Sequence, residues 1–204
     1  MRQQPLDRDP KTFTSLVRAA RFYSNIASPP ALFPAFAFLM AWADHPAADS
    51  LLWAALYGLL AHLLPVLYVV YLHKIGRVHD IHVSSPEERR TPYRIGLMGA
   101  ILTFVVVRTW AELPLLTNLI LSHLVIMLVL ALANTVWLIS AHVSAIMALT
   151  LLAGQAFGAV FSFILFPFVV LTFYIRRYLK RHTFGELVSG LVVGAGSVLL
   201  LSIM

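Results

Sequence analysis

Long apolar segments alternate with short polar ones along most of the chain. A membrane-spanning helix needs about 20 apolar residues, and about 17 at the short end. Seven segments come close to that length: residues 29–44, 50–73, 93–111, 115–138, 141–157, 158–175 and 184–203. Turn-forming residues separate several of them, as Asp44-His45-Pro46 does after the first. The pattern predicts a bundle of six to seven transmembrane helices.

The segment before the first span, residues 13–26, has a different pattern. Its apolar side chains alternate with Arg18 and Arg21 at helical spacing. An amphipathic helix with basic residues on its polar side typically lies on a membrane surface. We therefore expect an interfacial helix at this position, before the first transmembrane helix.

The composition is that of an integral membrane protein. Of the 204 residues, 60% are hydrophobic and 12% are charged, and the mean hydropathy is +0.83. A soluble domain of this size cannot bury so much apolar surface, so lipid is expected to surround most of it. The sequence has no cysteine, which excludes disulfides and thiolate metal sites. Its polar N-terminal residues predict no cleavable signal peptide. The predicted fold class is all-α.

Positive charge is concentrated in three polar clusters. Fourteen of the 15 Lys and Arg residues lie in the N-terminal stretch, in residues 74–94 or in residues 176–181. Two predicted spans separate the second cluster from Ser140-Ala141-His142, and two more separate that tripeptide from the third cluster. An even number of crossings returns the chain to the same face, and the positive-inside rule makes that face cytoplasmic. We therefore predict a cytoplasmic N-terminus, residues 1–28, and a transmembrane domain, residues 29–204, in a bacterial-type inner (plasma) membrane.

Two polar segments, one at the third cluster and one at Ser140-Ala141-His142, carry residue types suited to phosphoryl transfer. In Arg176-x5-His182-x3-Glu186 the last two residues share a helical face, where the carboxylate can accept a hydrogen bond from one ring nitrogen. The other ring nitrogen is then available as a nucleophile. Ser140 and His142 lie at the start of the fifth span on the same predicted face, and a helix N-terminus favours a phosphate.

Each segment also has a purely structural interpretation. A basic stretch after a span is ordinary positive-inside charge, and a glutamate in the first turn of a helix stabilises the helix dipole. Histidines within spans, such as His62 and His123, are expected to be buried packing or hydrogen-bonding residues. The order and shared sidedness of the segments, more than any one of them, therefore indicate function.

In order, the polar segments resemble the three signatures of the type 2 phosphatidic acid phosphatase superfamily, which consists of integral-membrane lipid phosphatases. Those signatures are Lys-x6-Arg-Pro, Pro-Ser-Gly-His and Ser-Arg-x5-His-x3-Asp. The third matches best: Arg176 and His182 occupy the Arg and His positions, with Ile175 in place of Ser and Glu186 in place of Asp. The resemblance covers residues 70–196.

The other two signatures match less closely. Ser140 and His142 fit the second, while Ile139 and Ala141 replace Pro and Gly. The first is approximate, because the cations that precede Pro92 are too far from the upstream ones. The candidates for this cation set are Lys74, Arg77, Arg89 and Arg90.

The resemblance implies a metal-independent lipid phosphatase that forms a phosphohistidine and uses no cofactor. His182, oriented by Glu186, would attack phosphorus, and His142 would protonate the departing lipid alkoxide. Arg176, Ser140 and the cation set of the first signature would bind the phosphate oxygens. The expected partners are a phosphatidate-like or polyprenyl (di)phosphate substrate and membrane lipids, with no nucleic acid. The oligomeric state stays open and includes a homo-oligomer.

Two alternatives remain open from the sequence. The acidic residues and histidines of segment 79–88 could bind Mg²⁺ that bridges a diphosphate, as in an intramembrane prenyltransferase. They lack the repeated Asp-x3-Asp spacing of such enzymes, and this alternative leaves His142 and His182 unused. The second alternative is a lipid-phosphate-binding protein, descended from a phosphatase, whose altered signatures no longer support turnover.

Overall fold

The structure, a computed structural model, describes residues 5–6, 14–78, 86–133 and 136–201, with the backbone alone for residues 86–90. Within these residues it is all-helical and contains no β-strand, which confirms the predicted class. The helices are α1 Ser15–Ile26, α2 Pro29–Asp44, α3 Ala48–Lys74, α4 Pro86–Trp110, α5 Pro114–Ala133, α6 Ala141–Phe157, α7 Ala159–Tyr178 and α8 Phe184–Leu199.

Four of the described helices are long and apolar enough to cross a membrane. They are α3, α5, α7 and the Thr91–Trp110 part of α4. A fifth crossing results if α1 and α2, which are separated by a bend, form one span. Helices α6 and α8 are apolar but shorter, at 17 and 16 residues. The helices are therefore those of a membrane protein, and six to seven crossings stay a prediction.

The predicted span over residues 115–138 is shorter in the structure. Helix α5 ends at Ala133, and residues 136–140 are not helical. An apolar run does not reveal where a helix ends, so the sequence alone carried the helix too far. The indole Nε1 of Trp137 donates to Ser189 Oγ at 3.1 Å, which attaches this non-helical segment to α8.

The chain forms two compact units. The first unit, from residues 1–32 and 137–204, contains α1, α6, α7 and α8. Helices α6 and α8 approach closely where α8 carries small residues: a Cβ built on Gly190 would lie 3.0 Å from the Ser140 carbonyl oxygen. Such residues let two helix backbones come together in a membrane protein. This contact brings the start of α6 beside the start of α8.

The turn between α6 and α7 lies in the predicted place. Gly158 adopts φ +100°, a left-handed conformation that residues with a side chain rarely adopt. Gly154 leaves space for Ser162, whose Oγ donates to the Thr150 carbonyl at 3.0 Å. The glycines therefore allow α7 to fold back directly onto α6.

Helix α1 belongs to the first unit and packs on protein along one side. Val17, Ala20 and Ser24, spaced at three and four residues, are buried. Leu16 and Phe22 on other sides are 61% and 69% exposed. The predicted amphipathic helix is therefore present, with one side on the protein and exposed apolar side chains next to it.

The second unit, residues 33–136, contains most of α2 together with α3, α4 and α5. Asp44 at the end of α2 caps α5, since its two carboxylate oxygens accept from the backbone N–H groups of Leu115 and Leu116, both at 3.0 Å. Helix α3 contains a π-helical turn, Gly58–Leu63. At this turn Gly99 of α4 packs against the α3 backbone.

A cluster of buried rings lies inside the second unit. Tyr57 Oη and His123 Nδ1 are hydrogen bonded at 2.8 Å. The imidazoles of His62 and His123 stack with centroids 4.6 Å apart, and Phe33 lies 4.4 Å from the His123 ring. The two histidines are 5% and 4% exposed, so the prediction that they are buried is confirmed.

Candidate active site

A capping box fixes the start of α8. Thr183 is its N-cap residue, and its Oγ1 accepts from the Glu186 backbone N–H at 3.4 Å. The Glu186 carboxylate in turn accepts from the Thr183 N–H at 3.0 Å. The sequence Thr-x-x-Glu dictates this local arrangement, because a helix start leaves backbone donors that side chains can satisfy. The residue directly before the N-cap is His182, which is thereby given a defined position.

The two ring nitrogens of His182 have different partners. Nδ1 lies 3.2 Å from Glu186 Oε2 and 3.2 Å from the Leu138 carbonyl oxygen. A carbonyl oxygen only accepts, and so does an ionised carboxylate, so these contacts assign the proton to Nδ1. Nε2 of the neutral ring then carries the lone pair. It lies 3.5 Å from Arg176 Nη2, whose N–H groups only donate.

Glu186 therefore contacts both the helix start and the histidine. Its side chain is buried at 6% exposure, and that of His182 at 8%. A buried carboxylate needs several donors, and here the Thr183 N–H and His182 Nδ1 supply them. Capping alone would explain a glutamate at this position, but the contact with Nδ1 also holds the ring.

Arg176 is joined to His142 through a residue of α1. One guanidinium nitrogen, Nη1, donates to Ser24 Oγ at 2.9 Å. The Ser24 backbone carbonyl accepts from His142 Nε2 at 3.1 Å. A continuous set of contacts thus runs from Glu186 through His182, Arg176 and Ser24 to His142. We call it the histidine network, and all of its residues belong to the first unit.

Ser140 has a buried hydroxyl next to this network. The residue is fully buried and is the N-cap of α6, yet its side chain makes no capping bond. Among the described residues its Oγ has no hydrogen-bond partner. Its backbone N–H donates to the Glu186 carbonyl at 3.2 Å, which ties the start of α6 to α8. A buried unpaired hydroxyl costs about 1–3 kcal/mol, so a group that supplied a partner for it would be stabilised at this position.

The remaining predicted phosphate ligands lie elsewhere or outside the described part. Lys74 and Arg77 belong to the second unit and are exposed. They lie at the end of α3, where Gly76 adopts φ +73° just after the helix. The side chains of Arg89 and Arg90 lie outside the described residues. Of the cations proposed from the sequence, the structure brings Arg176 into the histidine network, and the roles of the other four stay predictions.

The acidic loop of the alternative interpretation, residues 79–88, also lies outside the described side chains. Among the side chains that are described, no three His, Cys, Asp or Glu residues form a group that could hold a metal ion.

Sequence analysis did not identify two members of the site. Ser24 had a detectable signal, since it is a polar residue in line with the apolar Val17 and Ala20 on one side of α1. Leu138 had none, because it contributes a backbone carbonyl from a segment predicted to be helical.

The site combines residue types that are suited to phosphate chemistry. His182 offers a nucleophilic nitrogen, Arg176 a cation beside it, and Ser140 a buried hydroxyl at a helix N-terminus. His142 offers a second imidazole joined to the same arginine. Comparison of the chain with protein-family models, curated proteins and solved structures gives no match.

Proposed function

We propose that this chain is a membrane lipid phosphatase, a divergent relative of the type 2 phosphatidic acid phosphatases. The observation that carries the proposal is the state of His182. Two acceptors hold its Nδ1–H, and its Nε2 lone pair faces the Arg176 guanidinium. A nucleophilic imidazole needs this tautomer, and a phosphoryl group needs a cation at the same place.

The first chemical step is attack on phosphorus. The Nε2 lone pair of His182 forms the N–P bond while the P–O bond to the lipid breaks. The bonding electrons leave with the lipid oxygen, which takes a proton from His142. The positive charge on the His182 ring is stabilised by Glu186 at Nδ1, 3.2 Å away. The product is a lipid alcohol, or a lipid monophosphate when the substrate is a diphosphate.

The second step hydrolyses the phosphohistidine. A water molecule attacks phosphorus and gives a proton to His142, the N–P bond breaks, and its electrons return to Nε2 of His182. Inorganic phosphate leaves and both histidines regain their starting protonation. General acid–base catalysis of this kind contributes about 10²- to 10⁴-fold.

Phosphate binding is assigned to groups at the start of α6 and the end of α7. Arg176 presents a planar fork of N–H donors, the geometry that suits two phosphate oxygens. The Ser140 hydroxyl and the N-terminus of α6 add donors in a buried position, where they are stronger than in water. Lys74, Arg77, Arg89 and Arg90 are further proposed ligands. Preorganised donors at a transferring phosphoryl group are usually the largest catalytic contribution.

The membrane arrangement is part of the same proposal. Six to seven helices would cross the bilayer, with the N-terminus and the site at the cytoplasmic face, as the distribution of Lys and Arg favours. A phosphatidate-like lipid or a polyprenyl phosphate would reach the site laterally, with its chain remaining among the spans. An impermeant thiol reagent should fail to label the Ser84→Cys variant in intact cells, and labelling there would reverse the orientation.

The test is phosphate release from a panel of lipid phosphates by the purified full-length protein in detergent with EDTA. We expect turnover that vanadate inhibits and that the His182→Ala variant lacks. His45→Ala is the matched control, since His45 is an exposed histidine outside the site, and it should keep wild-type turnover.

The same experiment separates the alternatives. Turnover that needs added Mg²⁺ and survives His182→Ala would favour the metal-dependent transferase. Binding of a lipid phosphate without release of phosphate would favour the binding protein. Either result contradicts the phosphohistidine mechanism.

A further inference from the structure

Three hydrogen bonds attach α1 to the face of α7 that ends at Arg176. Phe168, Thr172 and Arg176 are spaced by four residues and therefore share that face. The Tyr23 hydroxyl lies 2.9 Å from Thr172 Oγ1 and donates to the Phe168 carbonyl at 3.2 Å. Ser24, the next residue of α1, meets Arg176 one turn further along.

Apolar packing fixes the same helix pair. Val17 and Ala20 of α1 form a buried cluster with Leu179 just beyond α7, and Leu6 and Ile175 pack against it. The Leu6 N–H also donates to the Leu179 carbonyl at 3.2 Å. Along α7 these contacts flank Arg176, with Thr172 before it and Leu179 after it. The packing of α1 therefore sets the position of Ser24, and the bond from Ser24 to Arg176 is not what holds α1 in place.

The Ser24 side chain can influence where the Arg176 guanidinium lies. Its Oγ must accept in this contact, because a guanidinium has no acceptor. A hydrogen bond to a charged group is stronger than one between neutral groups. Ser24 is 5% exposed, so water does not compete freely for the same donor. The bond therefore restrains Nη1 of the guanidinium, while Nη2 faces His182.

The Ser24 backbone acts on the second histidine. Its carbonyl is one of the last four of α1, which lack intrahelical partners, and it accepts from His142 Nε2 at 3.1 Å. This contact assigns a proton to Nε2, so in the proposed mechanism Nδ1 is the nitrogen that exchanges a proton with the substrate. The carbonyl thus orients His142 as Glu186 orients His182.

We propose that Ser24 is a positioning residue of the phosphate site, through which the N-terminal helix α1 sets both the phosphate-binding arginine and the proton-donating histidine. The proposal rests on the proposed function, and it adds a part of the chain that lies outside the three signatures. In this proposal the Ser24 hydroxyl positions Arg176, and the Ser24 backbone carbonyl positions His142.

The test uses Ser24→Ala, which removes the hydroxyl and keeps the carbonyl. Losing the hydrogen bond from Arg176 to the hydroxyl should weaken phosphate binding. The KM for a lipid phosphate and the inhibition constant of vanadate should therefore both rise about tenfold. The value of kcat should change less than either constant, because His142 keeps its acceptor. Ser24→Thr, which retains a hydroxyl, should restore both constants.

Ser15→Ala is the matched control. Ser15 lies on the same helix but is exposed, and this variant should leave both constants unchanged. A merely structural role for Ser24 predicts a lower thermal midpoint of Ser24→Ala with unchanged constants, and that result overturns the proposal. Equal weakening in Ser24→Thr overturns it also, because the hydroxyl would then not be the cause.

A second measurement distinguishes this proposal from the phosphatase itself. The shift of the thermal midpoint with inorganic phosphate is measured for the wild type and Ser24→Ala. Phosphate binding that Ser24→Ala weakens tenfold supports the role of Ser24 even if no lipid is hydrolysed. Normal turnover and normal phosphate binding in Ser24→Ala would overturn the role of Ser24 and leave the phosphatase proposal intact. A wild type that neither binds phosphate nor hydrolyses a lipid phosphate would overturn both proposals.

Discussion

Both units contain a pair of histidines, and the partners of the two pairs differ in kind. In the first unit, His182 and His142 contact a carboxylate, a guanidinium and backbone carbonyls. In the second unit, His62 and His123 contact mainly other rings, with centroids between 4.4 and 5.8 Å apart. The first arrangement gives the rings charged and carbonyl partners, while the second consists mainly of ring packing with one hydrogen bond, from His123 to Tyr57.

The unpaired polar atoms of the two units show the same contrast. Among the described residues, one buried side-chain atom of the first unit without a hydrogen-bond partner is Ser140 Oγ, at a helix N-terminus beside a cation-bearing network. In the second unit such an atom is Nε2 of His62, which is enclosed by the rings of Phe33, Tyr57 and His123. A ligand with a negative charge is favoured at the former and has no charged partner at the latter.

This comparison shows that a histidine within a membrane helix does not indicate chemistry by itself. What distinguishes His182 from the buried pair is that acceptors hold one ring nitrogen while a cation faces the other. That condition can be tested by removing single groups from each unit and asking whether turnover or stability changes.

After the complete loss expected for His182→Ala, the largest expected effect is that of His142→Ala. This variant removes the proton donor for the lipid alkoxide, and turnover should fall about 10²-fold or more. The fall in kcat/KM, which reports formation of the phosphohistidine, should be much smaller for an aryl phosphate, because a phenolate leaves without protonation. A loss of kcat/KM of equal size for both substrates would contradict the proton-donor role, and Ser15→Ala again serves as the variant with unchanged rates.

A smaller loss is expected for Glu186→Gln. The amide keeps an oxygen for the Thr183 N–H, so the helix start is preserved. It removes the negative charge beside the His182 ring, and turnover should fall about 10- to 100-fold.

The control for Glu186→Gln is a measurement of its thermal stability. If the thermal midpoint of Glu186→Gln drops as much as that of Thr183→Ala, which breaks the capping box alone, the glutamate acts mainly as a cap. Turnover measured per folded molecule separates the two roles, and an unchanged rate would remove Glu186 from the site.

The second unit should respond in stability and not in turnover. His123→Phe keeps the ring stack but leaves the Tyr57 hydroxyl without its partner, which costs about 1–3 kcal/mol. The measurement is the free energy of unfolding in detergent, with turnover per folded molecule unchanged.

The matched variant is His62→Phe. It replaces a ring whose buried Nε2 has no partner among the described residues, so unfolding free energy should stay constant or rise. A loss of turnover in either variant would show that the ring cluster takes part in function and would break the contrast between the units.

Local rules were enough to predict much of the first unit. The contact between His182 and Glu186 was predicted from their spacing of four, but the predicted shared helical face is wrong. His182 lies just before the N-cap of α8, and the Glu186 side chain reaches back to it as part of the capping box. Counting crossings placed Ser140-Ala141-His142 on the same face as His182, and the structure brings these segments into contact through the Ser140 N–H.

The remaining members could not be predicted for physical reasons. Ser24 lies more than a hundred residues from its partners, so no local spacing connects it with Arg176 or His142. Leu138 contributes only a backbone carbonyl, which any residue possesses. Its availability depends on α5 ending at Ala133, a boundary that a continuous apolar run does not mark.

The smallest expected effect concerns the close approach of α6 and α8, which holds the two halves of the histidine network together. A Cβ on Gly194 would meet the Ser144 carbonyl oxygen and lie 2.9 Å from Met147 Cβ, so the backbones must separate. Overpacking of this kind costs about 1–3 kcal/mol, partly offset by the higher helix propensity of alanine. Gly194→Ala should therefore lower the unfolding free energy by about 1 kcal/mol.

Gly196→Ala provides the comparison for Gly194, because a Cβ at position 196 meets nothing within 4 Å. This variant should gain stability from helix propensity alone, up to about 1 kcal/mol. Gly194→Ala should also lose turnover per folded molecule, since α6 carries His142 and α8 carries Glu186. If Gly194→Ala lost stability and kept full turnover, the distance between the two helices would not set the geometry of the site, and the histidine network would be held by α1 and α7 alone.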